Sequence, residues 1–263
     1  MKYVDVHTHL THEKFDNDRD EVIKRASDAQ VTMVVNGLEP RSNRTILELA
    51  ERFDHILPAL GIYPLESLAD TDHELPFKKT PFDVKQEVNF IAEQAASGKI
   101  AAVGECGLDG HWAKKESFAT QEEVFEQLLE IGEKHQIPVI IHSRKLEKRV
   151  IEILEHHNQT LVDFHCYCGK SKLALRVAEQ HGWCFSIPAN ARKSESFTKL
   201  LRTLPEESIL SETDAPYLAP VRGERNEPKH VVGTVEYLAE LRSWPTEKAA
   251  ELIWTNFQRL FRF

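Results

Sequence analysis

The sequence predicts an α/β fold, a single-domain (β/α)8 barrel of the TIM type over residues 1–263. Three observations carry this. Short apolar runs of strand length alternate eight times with segments whose apolar residues recur at helical spacing. Several runs are nearly continuously apolar, such as 31–36 (VTMVVN) and 138–142 (PVIIH), as strands covered on both faces are. Residues able to bind a metal stand at the end of one run after another, and β/α barrels build their active sites at the carboxyl ends of their strands.

The first strand, residues 2–9 (KYVDVHTH), organises the rest. Side chains alternate along a strand, so Tyr3, Asp5, His7 and His9 share one face. Two imidazoles pointing the same way can meet one divalent ion. Helical spacing over 17–30 then leads to a strand at 31–36, and helix 43–53 to a strand at 55–61. Helix 83–96 leads to strand 100–105 (IAAVGE), helix 121–135 to strand 138–142, and helix 146–156 to strand 160–165. Helix 173–180 precedes strand 183–187, helix 195–204 precedes strand 208–212, and helices at 230–242 and 246–261 close the chain. An open doubly wound sheet is the competing topology, but the glycine fingerprint of a dinucleotide site is missing. The longest irregular insert, 64–81, follows the third strand and in a barrel would lie on the active face.

Composition narrows the function classes. Hydrophobic residues at 41% and charged residues at 29% describe an ordinary globular chain. No apolar run of about 18 residues and no basic, apolar leader occurs, so the expectation is a cytoplasmic protein without a membrane partner. Four scattered cysteines do not make a disulfide scaffold, and reduced thiols are expected. A formal charge of −9 argues against coating duplex nucleic acid, yet leaves room for a local grip on a few phosphates.

The candidate ligands are His7 and His9 on the first strand, Glu105 on the fourth, His142 on the fifth, His165 on the sixth and Asp214 after the eighth. Any one of them alone reads as a hydrogen-bonded structural residue; together at one end of a barrel they read as a metal site. Four imidazoles and two carboxylates exceed what one tetrahedral ion needs. Two divalent ions sharing a bridging carboxylate are the economical arrangement, with Glu105, flanked by apolar residues, as the bridge. Cys166 and Cys168 form a competing C-x-C set, but alternation turns Cys166 away from His165, so both are read as small core residues.

The segments VDVHTHL, ALGIYP, VGECGLD, VIIHSR, FHCYCG, SETDAPYL and RNEPKHV, in this order, resemble the TatD family of metal-dependent deoxyribonucleases, within the amidohydrolase-like barrels. The resemblance implies that His7, His9, Glu105 and Asp214 hold one ion and Glu105, His142 and His165 a second. It also implies 3′-to-5′ hydrolysis of phosphodiester bonds in single-stranded DNA. One departure is Gly61-Ile62-Tyr63-Pro64, where the family has Gly-x-His-Pro; a tyrosine can donate a hydrogen bond to phosphate but cannot carry positive charge. Residues 188–193 (PANARK) match the family pattern only loosely.

The expected mechanism uses two divalent ions (Mg, Mn or Zn), about 4 Å apart, to activate water and neutralise the phosphoryl oxygens. Asp214 and Glu105 are the catalytic carboxylates, with Asp214 orienting or deprotonating the water. Basic residues follow several strands: Arg144, Lys145, Lys170, Lys172, Arg192, Lys193, Arg222, Arg225 and Lys229. They predict a cationic rim for a phosphate chain. Tyr63, Arg144, Arg225 and Asn226 are the expected substrate contacts, and Trp112 or Tyr63 a stacking surface for a base. The competing functions are hydrolysis of a carbon ester or amide, such as an aminoacyl-tRNA ester, and a catalytically idle barrel serving as a partner protein. A monomer is expected.

Overall fold

A computed structural model describes residues 1–71, 73, 80–158 and 161–262. Eight parallel strands pair in sequence order: β1 (Tyr3–Thr8), β2 (Val31–Asn36), β3 (Ile56–Leu60), β4 (Ala102–Asp109), β5 (Val139–Arg144), β6 (Val162–His165), β7 (Cys184–Ile187) and β8 (Ile209–Ser211). Helices follow each strand: α1 (Arg19–Asp28), α2 (Pro40–Arg52), α3 (Val84–Ala96), α4 (Phe118–His135), α5 (Glu147–His156), α6 (Ser171–His181), α7 (Glu195–Thr203) and α8 (Val231–Arg242), with α9 (Thr246–Phe261) last. The seam between first and last strand is drawn together just past β8. Asp214 N donates to His7 O at 2.9 Å, His9 N to Ala215 O at 2.8 Å, and Thr8 and Ala215 form a parallel bridge. α9 packs over this seam against β1 and β8. The open-sheet alternative is therefore set aside.

Local chemistry explains where the elements begin and end. Glu39 caps α2, accepting from Ser42 N at 2.8 Å and Arg41 N at 2.6 Å, and Ser42 Oγ in turn accepts from Glu39 N at 3.1 Å. Pro40 takes the first helical position, where its missing N–H costs nothing. Around the barrel the strands are buried almost throughout; β4, β6, β7 and β8 have no exposed residue. This is why they read as apolar runs.

The structure revises two boundaries. β4 begins at Ala102 and runs to Asp109, four residues past the predicted end, because its pairing with β5 carries it through Gly104 and Gly107. Within the 64–81 insert a short 3-10 turn, Glu66–Leu68, buries Leu65 and Leu68, while residues 72 and 74–79 lie outside the described residues. The predicted first residue of strand six, Thr160, also lies outside them.

Candidate metal centre

Two strand irregularities shape the site. In β1 the register against β2 shifts between Asp5 and Thr8, and in β4 the register against β5 shifts between Val103 and Cys106. Each stretch spends three residues where its neighbour spends two, which is a bulge, and bulges re-aim side chains next to active sites. His7 lies within the first and Glu105 within the second. A Cβ on Gly61, at the end of β3, would stand 2.4 Å from Glu105 O, so only glycine lets the chain pass this close to the bulge.

His7 Nε2 and His9 Nε2 lie 3.0 Å apart. Glu105 Oε2 is 3.6 and 3.5 Å from these two atoms, and Asp214 Oδ1 is 3.6 and 3.4 Å from them. Two donors each about 2.1 Å from one ion stand about 3.0 Å apart at a right angle and about 3.4 Å apart at the tetrahedral angle, so these spacings fit a shared cation. The other oxygen of Glu105 faces a second pair: Oε1 is 2.9 Å from His142 Nδ1 and 3.7 Å from His165 Nε2. The sets His7–His9–Glu105 and Glu105–His142–His165 could each hold a metal ion.

The far nitrogens support this reading. His9 Nδ1 lies 3.2 Å from the carbonyl of Asn36, His142 Nε2 3.1 Å from Asp109 Oδ2, and His165 Nδ1 3.1 Å from Glu212 Oε2. In three of the four imidazoles an acceptor thus fixes the outer N–H and leaves the inner nitrogen's lone pair for the cluster, as it does in metal-ligating histidines. Imidazole and carboxylate together suit Zn, Mn or Fe more than the all-oxygen sites of Ca. The residues present therefore fit divalent ions.

Electrostatics follow from packing so many titratable groups out of water. Burial alone would push the Glu105 carboxyl up; the His142 hydrogen bond and the charges of His165 and His9 bring it down to about 2. Burial likewise disfavours charge on His165, but the Glu212 carboxylate overrides this and lifts the imidazole to about 10, so an ion bound there would displace the proton of the inner nitrogen. His7, fully buried and crowded by His165 and His9, moves the other way, well below its usual range.

The structure brings His7, His9, Glu105, His142, His165 and Asp214 to one place. Tyr63 stands beside them, partly buried, its ring edge-on to His142 at 5.0 Å and its hydroxyl 3.4 Å from Asp109 Oδ2. Burial, then Glu105 and Asp109, push this phenol far up, so it stays a neutral donor. Arg144 is exposed, with its guanidinium 5.7 Å from the ring of Trp112, which is 49% exposed. Arg225 is not brought to the cluster. Its guanidinium donates to both Asp18 oxygens at 2.6 Å and to Lys14 O at 2.7 Å, tying the loop after β1 to the loop after β8. Asn226 is fully buried, donating to Thr213 O at 2.8 Å and accepting from Glu227 N at 3.0 Å. Both are spent within the protein.

Of the basic loop residues, Arg192 pairs with Glu240 at 2.6 Å and Lys229 with Glu227 at 3.5 Å. All four cysteines are free. Cys168 is exposed in the turn after β6 and Cys166 partly buried, rather than both in the core, because the strand ends at His165. Two residues of the site escaped the sequence reading. Asp109 sits four positions beyond Glu105, past the point where periodicity ends the strand. Periodicity marks Glu212 only as the end of the last strand, yet its carboxylate lies 3.1 Å from His165 Nδ1 and accepts from Ser186 Oγ at 2.6 Å.

Comparison with known proteins identifies the family. The family model described as TatD related DNase matches residues 4–262. The chain is 31% identical to an uncharacterized metal-dependent hydrolase, YabD, of Bacillus subtilis, covering 98% of each. It is 30% identical to Deoxyribonuclease TATDN3 of Homo sapiens, covering 98% of this chain and 94% of that one. Among solved structures, YJJV, a TatD homolog from Escherichia coli K12, superposes with a TM-score of 0.85 at 24% identity over 99% of this chain and 98% of the other, which shows the shared barrel. With the family match running from the first strand to the last helix, this chain belongs to the TatD related DNase family.

Proposed function

We propose that the chain is a metal-dependent phosphodiesterase that removes nucleotides from the 3′ end of single-stranded DNA, with two divalent ions. The observation that carries this reading is Glu105, which turns one oxygen to the His7–His9 pair and the other to the His142–His165 pair. That is the posture of a bridging carboxylate. His7, His9, Glu105 and Asp214 would hold one ion; Glu105, His142 and His165 the other. Bound ions supply Lewis-acid neutralisation of the phosphoryl oxygens and a lowered pKa for water. The name of TATDN3, a deoxyribonuclease, supports a DNA substrate.

The chain's own groups do the rest. Asp214 has its backbone N–H pinned to His7 O at 2.9 Å and a side chain 16% exposed, so its carboxylate meets both the cluster and the solvent. It orients the attacking water and accepts its proton. Tyr63 offers its O–H to a phosphate oxygen, and Arg144 offers a guanidinium fork at the mouth. Asp109 and Glu212 keep His142 and His165 turned inward.

The test is hydrolysis of a 5′-labelled single-stranded oligonucleotide with added Mg or Mn, beside EDTA and Glu105→Ala controls. A metal-dependent ladder shortening from the 3′ end, absent from both controls, is expected. Two ions bound per chain without cleavage would overturn the reading and point to carbon esters. Asp214→Asn should retain metal while losing turnover by at least about a hundredfold.

A further inference from the structure

A cavity of about 230 Å³ opens beside His9, where the loop after β1 meets the start of α2. His12, Arg19, Arg41, Thr45 and Tyr217 line it, none of them a substrate contact expected from the sequence. Tyr217 is the first point of interest. It is a large aromatic left 46% exposed, yet its hydroxyl lies 3.0 Å from His12 Nε2 and its backbone N–H donates to Asp214 O at 2.8 Å. The ring is thus positioned from two sides, one turn away from the proposed general base, while much of its surface stays open.

The charges around it have the sign a phosphate needs. The Arg41 side chain is exposed and has no ion-pair partner among the described residues. Lys14 Nζ lies 5.4 Å from the centre of the Tyr217 ring and likewise has no carboxylate partner among them. Arg19 is already committed, donating to Leu10 O at 2.7 Å and to Asp16. Glu39 also lines the cavity, but both its oxygens accept from the first N–H groups of α2, where its charge offsets the helix dipole. What remains is a half-exposed aromatic ring with one unpaired cation, Arg41, on the wall shared with His9, and a second, Lys14, over the ring. Proteins that grip single-stranded nucleic acid combine these same parts, stacking surfaces for bases and cations along the backbone.

We propose that this cavity is a nucleotide subsite: the base next to the scissile bond stacks on Tyr217, and the neighbouring phosphate is met by Arg41 and Lys14. The proposal rests on the phosphodiesterase reading above and adds to it that recognition extends at least one nucleotide past the cluster on the His9 side.

The experiment compares Tyr217→Ala, Tyr217→Phe and Arg41→Ala with the parent on single-stranded dT8 and on bis(p-nitrophenyl) phosphate, which has no second nucleotide. The kcat/KM for dT8 divided by that for the small diester should fall about tenfold in Tyr217→Ala and in Arg41→Ala, the range a lost stacking or phosphate contact supplies. Tyr217→Phe, which keeps the ring, should restore the ratio. Equal losses on both substrates, or no loss, overturn the subsite. Fluorescence anisotropy of labelled dT8 in EDTA reads the same contacts without turnover. A matching rise in Kd in the two alanine variants supports the subsite even if the parent cleaves neither substrate; identical Kd values overturn it.

Discussion

Asp109 joins three parts of the site through two oxygens. Oδ1 accepts from His111 N at 2.7 Å and Trp112 N at 2.8 Å, and Oδ2 faces His142 Nε2 and the Tyr63 hydroxyl. Holding the outer nitrogen of a ligating histidine is worth 10- to 100-fold in metal affinity. Asp109→Ala should therefore weaken Mn or Zn binding by about that factor in a calorimetric titration, and an unchanged Kd would remove this role. Glu66 shows the opposite use of a carboxyl. Burial and then the nearby Glu39 charge raise it from 4.5 to about 7, so the folded chain holds its proton more tightly than the unfolded one. The resulting cost is absent below pH 4.5, grows as pH rises to 7 and is complete above it. Glu66→Gln should accordingly stabilise the protein at pH 8 by about 1 kcal/mol after solvent screening, roughly 2 °C in Tm, with little effect at pH 4.5. Thermal unfolding at the two pH values checks the sign.

At the scale of elements, the bulged strands and the loop clamp decide whether the ligand candidates meet. Gly107 has φ +135°, and a Cβ there would stand 2.0 Å from His142 O. Gly107→Ala would both strain β4 and force it off β5 at the position carrying His142. A loss of about 3 kcal/mol or more in urea unfolding is expected, as for other substitutions that combine left-handed strain with overpacking. The clamp formed by Arg225, Asp18, Arg25 and Glu227 fixes the loops after β1 and β8 against each other. The Arg225 hydrogen bond, aided by Arg25, draws the Asp18 carboxyl from 3.8 to about 2. Its contribution is present above pH 4 and is lost as pH falls towards 2. Asp18→Asn should lower stability by about 1 kcal/mol at pH 6, allowing for solvent screening, and converge with the parent near pH 2 in urea titrations.

For the molecule as a whole, the proposed function asks an acidic chain to grip anions locally. The net charge is −9, yet Arg144, Arg41 and Lys14 have no carboxylate partner among the described residues, and Arg41 lines a cavity beside His9. On the proposed reading it would engage few phosphates, not a long backbone. For two to three contacts on a single strand the logarithmic salt slope is about −1.4 to −2.1, so dT8 affinity should fall about tenfold between 50 and 200 mM salt. A much steeper slope in anisotropy titrations would mean an extended charged track instead of a short site.

The eightfold alternation, the burial of the strands and the gathering of His7, His9, Glu105, His142, His165 and Asp214 at one end were legible in the chain. They depend on local periodicity, which a sequence carries directly. The extent of β4, the two bulges and the roles of Asp109 and Glu212 were not, because register is set by the neighbouring strand and a hydrogen bond needs its partner in space. Arg225 and Asn226 were expected as substrate contacts because they follow the last strand on the active face; in the fold Arg225 pairs with Asp18 and Asn226 with Thr213 O. The sequence by itself determined the strand–helix alternation and which histidines and carboxylates gather at one end of the strands. Only the tertiary structure decided which of the loop residues remain free to meet a ligand, since pairing between loops some 200 residues apart depends on barrel closure.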